Sequence, residues 1–205
     1  MQKKLIWVSL ILVWVNSLQV TAQDEKTGNS NRKWFIGSTL LLLGNLDDTN
    51  NPEYIQVNAG YRITPKDVVQ FRFKRSIYAW PLGIPFGPDF DAPGLNYPGH
   101  ARILAPQLGY QRFWWKGMYT SLYVLNAFEK YVDVNKKKIG NGFTLYTDFY
   151  LGYQFTFFND RFFFEPAIGI SFWPIRTGLP DTFRAVEEKW NNYFIQPGLD
   201  FGYKF

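Results

Sequence analysis

Long stretches of this chain alternate between apolar and polar positions. Between residues 54 and 64, Ile55, Val57, Ala59, Tyr61 and Ile63 share one parity, and Gln56, Asn58, Gly60 and Arg62 share the other. A period of two is that of a β-strand with one apolar and one polar face. The alternation recurs with Val69, Phe71 and Phe73 against Gln70, Arg72 and Lys74, and with Leu104, Pro106, Leu108 and Tyr110 against Ala105, Gln107, Gly109 and Gln111. Phe143, Leu145, Phe149, Leu151, Tyr153 and Phe155 oppose Thr144, Asp148, Gly152 and Gln154. Phe164, Pro166, Ile168, Ile170 and Phe172 oppose Glu165, Ala167, Gly169 and Ser171. The last stretch sets Ile195, Pro197, Leu199, Phe201, Tyr203 and Phe205 against Gln196, Gly198, Asp200, Gly202 and Lys204. Segments 33–45 and 118–128 are strand-like without a clear parity, and the run 40–43 is apolar on both faces.

The connections alternate in length. Residues 64–67, 114–117 and 158–161 read as tight turns, whereas 46–52, 77–102, 130–141 and 174–191 are long. Short turns at one end and long loops at the other are the layout of an outer-membrane barrel, whose tilted strands need only ~9–11 residues to cross. Closure leaves no unpaired strand edge in lipid, where backbone groups find no other partner. The expected fold is all-β: an antiparallel eight-stranded transmembrane up-and-down β-barrel over residues 33–205, apolar parity to lipid and polar parity to the lumen. An even strand number puts both termini on one side, the periplasmic one. Prolines 106, 166 and 197 conflict with an ordinary sheet interior and are expected at bulges or ladder gaps near a rim. A secreted β-sandwich also alternates, but it leaves the pairing of an aromatic face with a Gly-, Gln- and Arg-rich one unexplained.

Residues 1–22 stand apart from this pattern. Lys3 and Lys4 precede an apolar run over 5–15, and Thr21 and Ala22 are small. That is the three-part layout of a secretory signal peptide. Asn16, Ser17 and Gln19 interrupt the run too early for a helical anchor, which needs ~20 apolar residues. Residues 23–32 are then a short periplasmic segment. Losing Lys3 and Lys4 lowers the net charge from +5 to +3, too mild to call for a nucleic-acid partner. The absence of cysteine rules out a disulfide framework and an acylated lipoprotein anchor. Aromatic residues make up 20% of the chain, which suits a lipid-facing surface but also occurs in soluble strands.

The stretch Leu199-Asp-Phe-Gly-Tyr-Lys-Phe205 resembles the C-terminal signature strand of Gram-negative outer-membrane barrels. The resemblance implies that Phe201, Tyr203 and Phe205 form an assembly signal read by the barrel assembly machinery. Over residues 33–205 the pattern is similar to that of the small eight-stranded members of the group. Those families include membrane anchors, adhesion proteins, small-molecule conduits and lipid-modifying enzymes, so the fold does not select a function.

The inward parity carries Arg62, Arg72, Lys74 and Lys204 together with Asp148, Glu165 and Asp200. Side chains just fill an eight-stranded barrel, and buried charges must pair or be hydrated. A lumen ion-pair network of Arg62, Arg72 and Lys74 with Asp148, Glu165 and Asp200 is therefore expected. The alternative is a narrow conduit for a small solute, for which glycines 60, 109, 152, 169, 198 and 202 leave space. His100, the single histidine, and Ser76 fall at the outer ends of neighbouring strands and offer a base and a nucleophile, although spacing supplies no third, acidic partner. No CxxC, HExxH, P-loop or GxSxG occurs, and one histidine with scattered carboxylates makes a weak metal site. No cofactor is expected.

Three loop features remain. Segment 77–102 holds prolines 81, 85, 88, 93 and 98 with Trp80, Phe86, Phe90 and Tyr97, a stiffened loop serving as a lid or as a ligand surface. Residues 180–190 read as a short helix capped by Asp181, with Phe183, Val186 and Trp190 on one side and Arg184 facing Glu188. Lysines 136–138 suit lipopolysaccharide phosphates or a solvated tip. The expected role is non-enzymatic binding of outer-membrane lipids, including lipopolysaccharide, of a surface partner or of a small ligand through the outer loops. The competing class is a lipid hydrolase or acyltransferase built on His100.

Overall fold

Nine strands form one antiparallel sheet in the computed structural model, which describes residues 32–46, 51–78, 99–188 and 191–205. They are β1 (Trp34–Thr39), β2 (Ile55–Arg62), β3 (Asp67–Tyr78), β4 (Gly99–Trp115), β5 (Met118–Asp133), β6 (Lys138–Tyr153), β7 (Phe155–Phe157), β8 (Phe162–Thr177) and β9 (Tyr193–Lys204). Each strand pairs with the next in sequence except that β6 and β7 both pair with β8, and β1 also pairs with β9, with Ile36 opposite Tyr203 and Thr39 opposite Asp200. The sheet thus closes into an up-and-down ring of eight strand positions. Closure is completed beyond the strand ends: Phe205 N donates to Trp34 O at 2.9 Å and Trp34 N to Phe205 O at 3.3 Å.

β7 prolongs β6 and keeps its register on β8, Gly152 facing Ala167 and Phe155 facing Phe164. The break at Gln154 lies across from Glu165 and Pro166, and proline has no N–H to give the ladder. Pro106 interrupts in the same way: the β4–β5 pairing skips 105–106 and resumes with Gln107 opposite Leu125 in unchanged register. These prolines make ladder gaps and no bulge. The bulges lie elsewhere, at Phe113/Trp115, Tyr131/Val132 and Leu145/Thr147.

Burial follows the parity. Val57, Phe71, Leu108, Leu122, Phe149, Ile168 and Ile195 are exposed, while Asn58, Arg72, Gln107, Ser121, Asp148, Ser171 and Asp200 are buried. The ring is apolar outside and polar inside. β1 and β5, whose parity the sequence leaves open, expose Trp34 and Ile36, and Leu122, Val124 and Phe128. No helix among the described residues is long and apolar enough to cross a membrane, which says nothing about strands.

Several boundaries differ from the sequence reading. The strand expected over 33–45 stops at Thr39, and Leu40–Leu46 is a 3-10 helix. A run apolar on both faces gives a strand no side to bury. The long connection expected at 130–141 is a tight hairpin, because the β5–β6 ladder continues through Tyr131–Gly140 and Val132–Lys138. Its polar residues ride on backbone pairing that does not need them. Similarly, β8 runs on to Thr177 and is followed by helix α1 (Asp181–Glu187). Lys116 and Gly117 have positive φ of 43° and 92°, the signature of a two-residue hairpin turn that matches strand twist. The leader 1–22, residues 23–31 and the proline-rich loop residues 79–98 lie outside the described residues.

Candidate functional site

The inward side chains of β3 organise the middle of the ring. Arg72 Nη2 forms an ion pair with Asp200 Oδ2 at 2.7 Å and donates to Tyr123 Oη at 2.5 Å. Its Nε and Nη2 donate to Gln70 Oε1 at 3.3 and 3.2 Å, and the guanidinium lies 3.9 Å from the Tyr123 ring centroid. Arg72 is 8% exposed and Tyr123 1%, so the charge is neutralised by one carboxylate from the other side of the ring and held by local dipoles.

The hydrogen bonds run on towards the tight-turn end. Gln70 Nε2 donates to Gln111 Oε1, and Gln111 Nε2 donates to Glu165 Oε1 at 3.0 Å. Gln154 Nε2 reaches the same carboxylate oxygen at 2.6 Å. Lys204 Nζ then donates to Gln154 Oε1 at 2.7 Å and pairs with Asp160 Oδ1 at 2.9 Å. A second cluster serves Asp148, whose oxygens accept from Gln107 Nε2 at 2.9 Å and from Ser171 Oγ; Gln196 Nε2 donates to that hydroxyl at 2.7 Å. Buried polar groups stay in a fold when they are satisfied in this way.

The inward glycines are occupied space. A Cβ on Gly109 would run into the Tyr123 ring, on Gly60 into Phe35, on Gly169 into Tyr150 and on Gly202 into Phe163. In each case a ring from a neighbouring strand lies across the glycine. Gly109, opposite both Gln70 and Tyr123, is what lets the Tyr123 ring come under Arg72.

Towards the far end the interior turns apolar along β4 and β5. Phe183 of α1 is 0% exposed and packs with Ala101, Ile103, Ala105, Leu125, Ala127 and Tyr131. Its ring meets Tyr131 edge-on at 4.8 Å. Phe183 N and Arg184 N both donate to Pro180 O at 2.9 Å, which fixes the turn that delivers the ring.

Of the six residues expected to form the ion-pair network, one pair meets, Arg72 with Asp200. Glu165 and Asp148 are held by neutral amides and a hydroxyl. Arg62 sits near the turn end, donating to Pro65 O at 2.7 Å with its guanidinium 5.0 Å from the Phe113 ring centroid. Lys74 Nζ is 5.8 Å from the Tyr54 ring centroid. Lysine and arginine reach further than a strand spacing, so parity assigns the side of the wall but not the partner. The glutamines are what the charge-based reading missed. Their signal is present, since Gln56, Gln70, Gln107, Gln111, Gln154 and Gln196 all carry the inward parity.

Ser76 and His100 take opposite parities. Ser76 shares the inward parity of Arg72 and Lys74, whereas His100 shares the outward parity of Arg102 and Leu104. Ser76 Oγ is buried without a hydrogen bond among the described residues. Arg184 Nε stands 3.7 Å from Asp181, one turn back, rather than facing Glu188. The side chain of Val186 and all of Trp190 lie outside the described residues. Lysines 136–138 are exposed at the β5–β6 hairpin, where Lys137 N donates to Asp133 Oδ1 at 2.8 Å. Among the described residues no group of three or more His, Cys, Asp or Glu is placed to hold a metal. Phe201 and Phe205 point outward and exposed at the closing seam, with Tyr203 half-buried between them. The chain matches no family model, no curated protein and no solved structure.

Proposed function

We propose that this protein is an outer-membrane β-barrel whose lumen is a structural plug and whose role lies in the binding surface of its far-end loops. The observation that carries the reading is the inverted ring. Its outer wall is a belt of exposed side chains, including Leu108 at 65%, Ile168 at 60% and Ile195 at 70%, around an interior holding Arg72, Asp148 and Glu165. A soluble protein rarely exposes apolar surface continuously around its circumference, whereas lipid is the medium that accepts it. Trp34, Tyr61, Trp115, Tyr153, Phe162 and Tyr203 gather at the tight-turn end, as an interfacial aromatic girdle does.

The rings over the glycines and the Phe183 layer favour a plug over a conduit. The opposite facing of Ser76 and His100 withdraws support from lipid hydrolysis or acyl transfer at that pair. Protease treatment of intact cells tests topology. Cleavage is expected at the 134–137 hairpin or in the 178–192 loop, with 63–66 and 158–161 protected. Cleavage confined to the latter two would invert the orientation, and cleavage throughout the strands would remove the membrane reading.

A further inference from the structure

The outer wall carries a cluster of cations that the plug does not use. Arg75, Arg102 and Lys130 all have outward parity, on β3, β4 and β5 near the far end. Arg102 and Lys130 are direct cross-strand partners, and Arg75 lies diagonally from Arg102, since Ile77 faces Arg102. The three border a groove of about 420 Å³ whose lining includes Leu104, Phe128 and Asn141. Arg75 is held by Glu53 at 2.7 Å. Neither Arg102 nor Lys130 makes a side-chain hydrogen bond or ion pair among the described residues. Glu129 also borders the groove, but it is buried with the inward parity, and its carboxylate accepts from Tyr131 Oη.

Like charges directly opposite in a sheet repel and destabilise the pair. An anion bridging two such cations, with no acid between them, relieves that repulsion. Directly beside the pair the wall turns apolar: Leu104 and Phe128, themselves cross-strand partners, are 45% and 53% exposed. Positive charge set next to exposed hydrocarbon matches an amphiphile with an anionic head.

We infer that the Arg102–Lys130 groove binds the phosphate of a membrane-lipid headgroup, with the lipid chains lying over Leu104 and Phe128. Guanidinium and ammonium together bind phosphate oxygens through charge-assisted hydrogen bonds, Arg102 as the planar fork and Lys130 as the point charge. The site rests on the membrane reading above. It differs from the hairpin lysines in having an apolar lining, so it selects a lipid rather than any anion.

Native mass spectrometry of the detergent-folded full-length protein tests this, with phosphatidic acid and phosphatidylcholine of the same acyl chain as probes. Wild type is expected to retain phosphatidic acid preferentially. Lys130→Gln weakens that retention about five-fold, and Arg102→Gln with Lys130→Gln about 25-fold, at roughly five-fold per surface cation. Lys136→Gln with Lys137→Gln leaves it unchanged, and inorganic phosphate at equal concentration does not displace the lipid. Equal retention of the two lipids by wild type, or undiminished retention by the double variant, overturns the proposal. Displacement by inorganic phosphate overturns the lipid as occupant and leaves a simple anion site. Insertion of wild type into phosphatidylcholine vesicles is scored separately. Failure there overturns the membrane reading and this site with it, whereas insertion without phosphate preference overturns this site alone.

Discussion

Arg72→Ala is expected to destabilise the detergent-folded protein by about 3–5 kcal/mol, the usual cost of removing one partner from a buried ion pair. The substitution strands the carboxylate of Asp200, whose side chain is 13% exposed, and leaves the Tyr123 hydroxyl and Gln70 amide oxygen without their Arg72 donor. Phe71→Leu, one residue away, is expected to change stability by about 0.5 kcal/mol or less, because Phe71 is 47% exposed on the outer wall. Chemical or thermal denaturation of the two variants side by side gives the comparison. Equal and small losses would mean that the interior is wet enough to hydrate Asp200, and the plug would have to be abandoned.

The second large effect is local. Phe183→Ala removes a fully buried ring from the apolar cluster at the far end, a truncation that costs about 3–5 kcal/mol in a packed site. The strand ladder does not depend on this ring, so the loss falls on the docking of α1 rather than on the whole ring. Hydrogen exchange at the Phe183 and Arg184 amides, which donate to Pro180 O, is expected to accelerate a hundredfold or more, at about 1.4 kcal/mol per decade. The melting transition should move much less than in Arg72→Ala. Because the Arg72–Asp200 layer lies beneath the removed ring, neither wild type nor Phe183→Ala is expected to carry a steady current in a planar bilayer. An open-pore current in wild type would favour the conduit, and unchanged exchange in the variant would show that Phe183 does not hold the loop.

The alternation in the sequence identifies most of the walls and which side of them each residue takes. It does so because side-chain facing in a strand is a local property with a period of two. Asn58, Arg72, Gln107, Asp148, Ser171 and Asp200 are all buried on the parity assigned to them. Partner choice is not local. Arg72 and Asp200 sit on β3 and β9, which do not neighbour each other in the ring, and meet across its interior. Nothing in either segment alone names the other. The inward glycines were the most misleading signal, since a glycine reads as space and the ring that fills it comes from another strand. Strand ends were obscured for a different reason. Lys130, Asn141 and Lys138 look like loop residues, yet their backbones pair as well as any others, so the β5–β6 hairpin outruns its apolar pattern.

The claim on which the rest stands is that the apolar outer wall faces lipid. The chain contains no cysteine, so single cysteines carrying a fluorophore can be placed at Leu108→Cys, Leu122→Cys and Ile168→Cys on three different strands, with Lys136→Cys at the hairpin as the aqueous reference. In reconstituted vesicles the three wall labels are predicted to be quenched by nitroxides attached to lipid chains and to be shielded from iodide, while the label at 136 shows the reverse. Iodide quenching of the wall labels as strong as that at 136 would contradict the account.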